Sequence, residues 1–397
     1  MAITFPASPT NGQTFTSGNK TWQWDGTTWL AYGASLSPTV LKVDAANARV
    51  GINNQSPAYA LDVNGTIEAT QFIQGTDYLS PYQGFRNAII NGDFRINQRG
   101  FTSSTTSLLY GFDRWLVGHV GGTCTQSAQT FTVGSPAATG YESQNYLQFV
   151  TASQSAASDF AKVRQWIEDV RTFANSTVTV SFWAKATSGT PKVAVELNQS
   201  FGTGGSPSAE VNIYGGQVTL STSWARYSVT VAVPSISGKT IGTTANTSSL
   251  GIDFWTSSGS TYNARSGSLG IQNNTFHFWG VQVERGSVAT PFEQRPIQQE
   301  LALCQRYYQI GRLAASGYGS VATVDSGAYG NFSFPTRMRI TPTITELTKA
   351  LGGSPTGYAS ATTYIDVSGF GYRYHHGASS GSGNLSFDLT WSAGAEL

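Results

Sequence analysis

Hydrolysis of a polysaccharide needs two carboxylates at a defined separation, one to give a proton and one to act as base or nucleophile. The chain offers Asp113, Glu142, Asp159, Glu168, Glu196, Glu210, Asp253 and Glu284, and no two of them stand in a spacing that marks such a pair. Gly377-Ala378-Ser379-Ser380-Gly381 matches the G-x-S-x-G nucleophile elbow in letters only. That serine needs a strand before it and a helix after it, whereas here it lies in a run of glycine and serine. His375 and His376 stand too near it in sequence to complete a triad. In an extended segment the two imidazoles point to opposite sides, so one per chain could face a threefold axis.

Binding without cleavage asks for less: aromatic faces against the C–H surfaces of a sugar, and a few polar groups to set its orientation. Trp183, Trp255 and Trp279 follow Phe182, Phe254 and Phe278, and strand alternation puts each tryptophan on the face opposite its phenylalanine. The tryptophans either form an exposed platform or lie under loops folded over the outer faces of a sandwich. Tyr358, Tyr372, Tyr374, His375 and Trp391 flank loops rich in tyrosine, serine and glycine, the composition of adaptable recognition surfaces. These eight residues are the candidate glycan contacts. No catalytic residue, metal ligand or cofactor is expected.

Composition points the same way. Charged residues are 11% of the chain, against ~25% in an ordinary soluble protein. Glycine, serine, threonine, asparagine and aromatics take their place, as in short strands joined by many turns. All-β is the expected class. With a net charge of +1 and no run of Lys or Arg, the electrostatic footprint of nucleic-acid binding is absent. No apolar run approaches the ~18 residues of a membrane span, and Met1 to Leu30 does not read as a signal peptide, so assembly in a cytoplasm without membrane insertion is expected. Cys124 and Cys304 stand alone, with no spacing for zinc, and read as unpaired buried residues.

Five segments position these residues. Residues 1–34 carry the hairpin turns Asn11-Gly12 and Asp25-Gly26, the latter between Thr21-Trp22-Gln23-Trp24 and Thr27-Thr28-Trp29. In residues 35–83, short alternating pairs such as Val50 and Ile52, Leu61 and Val63, and Ile67 and Ala69 form a ribbon too thin to bury its own apolar side. Three chains could supply the missing walls, which makes Val50, Ile52, Leu61, Val63 and Ile67 the expected trimer interface. Residues 84–296 alternate as an antiparallel sandwich does, at Val178 to Phe182, Tyr227 to Val233 and Leu250 to Phe254. One stretch competes: in AKVRQWIEDVRTF, Val163, Trp166, Ile167, Val170 and Phe173 sit at helical spacing. Residues 297–308 form a linker helix opened by Pro296, with Ile297, Leu301, Cys304 and Tyr308 on one stripe. Residues 309–397 read as a second sandwich, with strands at Phe332 and Phe334, Ile365 and Val367, Phe370 to Tyr374, and Leu385 to Leu389.

Several motifs, in order, carry a resemblance. RNAIINGDFRINQRG and YGFDRW between Arg86 and Trp115, VTVSFWAKA, SWARYSVTVAVP, HFWGVQVERGSVATPFEQRP and ELALCQRYY together resemble bacteriophage tail fibre proteins with a jelly-roll domain like that of carbohydrate-binding modules. From residues alone, Phe94 and Ile96 alternate with Arg95 and Asn97 as a half-buried strand after an Asn91-Gly92 turn. RVGINNQSPAYALDVNGTIEAT looks like the trimeric, β-prism-like shaft of such fibres, and the first 34 residues like their tail-docking module. The resemblance implies a strand near Gln165 to Ile167 instead of a helix, and the last sandwich as the tip. It allows a structural calcium near Asp93 and Glu284. It further implies a homotrimer joined to a phage tail or baseplate protein through its N-terminus, a place in the virion, and attachment to host cell-surface polysaccharide.

Overall fold

Alternating strands and polar turns leave this chain little else to form, and the computed structural model is almost entirely β. It describes residues 4–18, 20–32, 41–44, 46–65, 72–74, 77–79, 85–320, 326–353, 358–376 and 382–397. Two compact units divide the chain, Met1–Tyr82 and Gln83–Leu397.

In the first unit, β1 (Thr14–Ser17), β2 (Lys20–Trp24) and β3 (Trp29–Tyr32) form an antiparallel sheet. The Asp25 carboxylate accepts from the backbone of Thr27 and Thr28 and fixes the β2–β3 turn. Phe5 lies 5.2 to 5.4 Å from Phe15, Trp22 and Trp29, so the aromatics serve as the core of a unit too small to have another. Next come β4 (Leu41–Asp44), β5 (Arg49–Ile52) and β6 (Leu61–Val63), with β4 antiparallel and β6 parallel to β5. Val43 and Leu61 are 61% and 57% exposed. Ile52 is exposed as well, while Val50 and Val63 are half-buried. Ile67 lies outside the described residues. The short pair β7 (Phe72–Gln74) and β8 (Asp77–Leu79) follows.

The second unit opens with a sandwich of two six-stranded antiparallel sheets. One has the order β10 (Leu109–Tyr110), β11 (Leu116–Val120), β14 (Phe160–Glu168), β19 (Ser249–Ser258), β16 (Lys192–Ser200), β17 (Val211–Thr219). The other runs β18 (Ala225–Val233), β15 (Ser176–Ala186), β20 (Asn274–Arg285), β13 (Asn145–Ala152), β12 (Thr123–Thr130), β9 (Ser103–Ser104). The chain crosses repeatedly between the sheets, the winding of a jelly roll. Inward residues such as Val163, Phe182, Leu197, Ile252, Phe254 and Phe278 fill the space between them. AKVRQWIEDVRTF resolves as strand β14 and a turn after Glu168, not a helix. A short helix, α1 (Asn263–Ser266), lies beside β16 and β17.

Arg86 to Arg99 is not a strand, contrary to its alternation. Phe94 and Ile96 are buried, but the Asn91 side chain ties both Ile96 N–H and Ile96 C=O, replacing a ladder with a side-chain clamp. Asn91 has φ +58°, the positive value the Asn-Gly turn requires. The segment forms a junction. Trp115 Nε1 donates to Asn91 C=O, and Asn91 N–H donates to Glu300 on α2 (Ile297–Gln305). Arg114 pairs with Glu396 and lies 3.4 Å from the Tyr307 ring centre. Asp93 pairs with Arg95 at 2.9 Å, and Glu284 accepts from Thr290 and Gln282.

The last sandwich packs β21 (Tyr308–Gly319), β26 (Gly383–Gly394) and β23 (Thr343–Gly353) against β22 (Gly327–Ser333), β25 (Gly369–His376) and β24 (Tyr358–Thr363). Ile365 and Val367 stand in the turn before β25 rather than in a strand, because Asp366 Oδ1 accepts from the backbone of Ser368 and Gly369. Cys124 and Cys304 are buried and unpaired.

Candidate functional site

Strand register builds a grid on the outer face of the sheet containing β14, β19, β16 and β17. One row reads Lys162, Trp255, Ala194, Gln217; the next Arg164, Asp253, Glu196, Tyr214; the next Trp166, Gly251, Asn198, Asn212. Their neighbours Val163, Ile167, Ile252, Phe254, Val195 and Leu197 face the core, so period-2 alternation sends all the charge to one side.

The middle of the grid is an ionic lattice. The Arg164 guanidinium forks onto both Asp253 oxygens, and Lys162 Nζ reaches Asp253 at 3.1 Å. Arg265, from α1, pairs with Glu196 at 2.6 and 3.0 Å, and Trp255 Nε1 donates to Glu196 at 2.9 Å. Burial opposes ionisation of Asp253, yet Arg164 and Lys162 hold it well below the ordinary carboxylate range. Glu196 moves the other way: burial raises it, Arg265 opposes the rise and the Asp253 charge adds to it. A raised and a lowered carboxylate side by side is the electrostatic pattern of an acid–base pair. Here neither is open to solvent, and their oxygens are taken by cations.

The row beside the lattice is different. At Gly251 a Cβ would stand 2.7 Å from Trp166 Cζ3, so the missing side chain lets the indole lie across the sheet. Arg164, held by Asp253, places its guanidinium 4.3 Å from the ring centre. Trp166 stays half-buried, leaving part of the ring open. Across β19, the fully buried Asn198 donates to Glu210 and Asn212, and its Oδ1 has no hydrogen-bond partner. Asn212 and Glu210 are exposed, and Tyr214 is 43% exposed. At the end of β14 and β19 opens a cleft of about 520 Å³ lined by Glu168, Asp169, Arg171, Asn246, Thr247 and Ser248. The face thus combines an aromatic platform with exposed polar side chains, above a buried acceptor that has no partner.

None of the expected aromatic residues whose side chains are described presents such a surface. Trp255 is in the grid but buried beneath Lys162, Arg265 and Tyr262. Trp183 and Trp279 meet 5.3 Å apart on the other outer face, covered by Tyr141 and Phe292. For all three, loops folded over the sheets, not an exposed platform, describe the outcome. Tyr372, Tyr374 and Trp391 are core residues of the last sandwich, Trp391 packing 4.6 Å from Phe332 and 5.0 Å from Phe370. A sandwich of three-stranded sheets fills its interior only with large rings, which draws them inward. His375 is buried on β25, and Tyr358 opens β24 with its side chain outside the described residues. Trp166 and Asn198 were missed, although strand alternation through Lys162, Arg164 and Trp166 carries the signal.

No family profile and no curated protein matches the chain. Among solved structures, it is similar to a family 4 carbohydrate-binding module at 17% identity, covering 49% of this chain and 98% of that one, TM-score 0.30. A family 11 carbohydrate-binding module from Clostridium thermocellum, in complex with a β-1,3-1,4-mixed-linked tetrasaccharide, is 9% identical over 48% of this chain and 99% of the module, TM-score 0.29. The enzymatically active domain of bacteriophage CBA120 tailspike protein 4 is 12% identical over 52% of this chain and 22% of the tailspike, TM-score 0.30. Likenesses this distant say nothing of a ligand; the grid has to speak for itself.

Proposed function

We propose that the chain is a bacteriophage tail fibre protein that holds host surface polysaccharide, without cleaving it, on the Trp166 face of its jelly roll. The observation that carries this reading is the indole laid over Gly251 beside the buried, unpartnered Asn198 Oδ1. A pyranose stacked on the ring would offer hydroxyls to the exposed Asn212 and Glu210. The ion pairs of Glu196 and Asp253 favour a binding role over a hydrolytic one. The exposed Val43, Ile52 and Leu61 favour a homotrimer, in which three weak sites act together. The N-terminal module would dock the fibre to a tail or baseplate protein in the virion, as the motif resemblance implies.

The test is retention of the full chain on immobilised host polysaccharide, with polymer length followed over a long incubation. Trp166→Ala should lower retention at least tenfold, and polymer length should stay constant. Shortening of the polymer that stops on Glu196→Gln would establish the enzymatic alternative; retention unchanged by Trp166→Ala would remove the site. Light scattering should give three times the 42.3 kDa chain mass, and Leu61→Asp should lower it.

A further inference from the structure

The opposite outer face carries a second grid. One row crosses β12, β13, β20 and β15 as Ser127, Gln148, His277, Lys185; in the next, Gln129 pairs with Tyr146 and Trp183 with Trp279. Loops cover Trp183 and Trp279; beyond them the buried Phe131 packs 4.7 Å from Tyr146 and 5.6 Å from Trp224, and both of those rings keep part of their surface exposed. Trp224, just before β18, and Tyr146 are both half-buried and meet nearly perpendicular, 5.4 Å apart at 85°. His277 closes the corner, its ring 5.5 Å from Tyr146 and 6.2 Å from Trp224.

Two groups there are unsatisfied. His277 is 7% exposed, with Nε2 3.2 Å from Thr187 Oγ1, while its buried Nδ1 has no hydrogen-bond partner. Lys185 Nζ rests 5.3 Å from the Trp224 ring centre, and among the described residues no carboxylate lies within ion-pair distance of it. A buried imidazole nitrogen facing nothing costs free energy that a ligand group could recover. A lysine left over an indole is a cation awaiting an anion.

We infer that this corner is a second sugar site, distinct from the Trp166 face, and that it takes a carboxylated pyranose. The apolar face of the sugar stacks on Trp224 against Tyr146, its carboxylate pairs with Lys185, and a ring or hydroxyl oxygen meets His277 Nδ1. Neutral sugars would find only the stacking surface.

The experiment titrates the full chain with tetragalacturonate, a hyaluronan tetrasaccharide and sialyllactose, each beside a neutral oligosaccharide of similar length, at two salt concentrations. At least one acidic probe should bind tenfold or more tightly than its neutral counterpart, and less tightly at high salt. Lys185→Ala should remove that preference, Lys185→Glu should abolish acidic binding, and Trp224→Ala should abolish both. Trp166→Ala should leave acidic binding intact, so failure of the first site and failure of this one read out separately. The inference is overturned if no acidic probe is preferred, if the preference survives Lys185→Ala in a chain with native near-ultraviolet dichroism, or if Trp166→Ala removes it.

Discussion

Two sites on opposite outer faces of one sandwich handle charge in opposite ways. On the first, Lys162, Arg164 and Arg265 each reach a buried carboxylate, and the lattice they form holds Arg164 against Trp166. On the second, Lys185 has an indole beneath it and no carboxylate beside it among the described residues. Buried ion pairs gain little net stability, because desolvation offsets their attraction, but they fix geometry. A single half-exposed cation fixes nothing and keeps its charge for a ligand. On the proposed reading, the first face would take neutral sugar hydroxyls and the second an acid.

The sharpest way to break this comparison is to remove the centre of the lattice. Asp253→Ala leaves Arg164 and Lys162 without their shared partner beneath the surface, and breaking such a pair from one side costs about 3 to 5 kcal/mol. Lys185→Ala removes a cation with no paired charge and should stay within about 0.5 kcal/mol of wild type. Chemical denaturation of both variants measures the difference. Equal midpoints would show that the lattice is ornamental and that the two faces do not differ as argued.

Much of this was legible beforehand, because period-2 alternation reports which residues share a face. It put Trp183, Trp255 and Trp279 out of phase with Phe182, Phe254 and Phe278, and the strand register keeps that alternation. It cannot report what lies on top, since the loops carrying Tyr141 and Phe292 belong to no alternating pattern. Trp166 was hidden by a coincidence of spacing: Val163, Trp166, Ile167, Val170 and Phe173 fit a helix as well as a strand followed by a turn. Read as a strand, Lys162, Arg164, Trp166 and Glu168 share the outer face. The stretch around Phe94 misled in the reverse direction, because asparagine side chains replaced a ladder that alternation presupposes. In the last sandwich the strand of Tyr372 was readable and that of Trp391 only as far as Leu389, but not their burial, which depends on how few strands enclose the core.

A smaller substitution sharpens the first face. Gly251→Ala adds one carbon 2.7 Å from Trp166 Cζ3, closer than such contacts allow, so the indole must lift from the sheet. Its stacking surface would tilt while Asp253 and Glu196 keep their partners. Sugar binding on that face should weaken by about 0.5 to 1.5 kcal/mol, the worth of an aromatic contact beyond its buried area. Acidic binding at the Trp224 corner should be unchanged. Calorimetric titration with a neutral and an acidic oligosaccharide separates the two; equal losses would mean that the faces are coupled.

The effect that depends on pH belongs to His277. Burial first, and then the nearby Lys185 charge, lower its pKa from 6.5 to about 4 in the folded chain. Tyr146, Trp224 and Thr187 complete its surroundings and supply no carboxylate to stabilise an imidazolium. Between pH 6.5 and 4 the unfolded chain therefore binds a proton that the folded chain refuses. The stabilising contribution is complete above pH 6.5 and is lost as pH falls through this window. Its size is on the order of 3 kcal/mol, from ~1.4 kcal/mol per unit of pKa. Asp93 works against it: burial raises its carboxyl to about 6, so its protonation on acidification favours the folded state over part of the same range. His277→Gln keeps a polar side chain of similar reach and removes only the downward contribution. Melting temperatures taken from pH 7 to pH 4.5 should thus fall less steeply in the variant than in wild type, whereas parallel curves would mean that His277 accepts its proton in the folded chain.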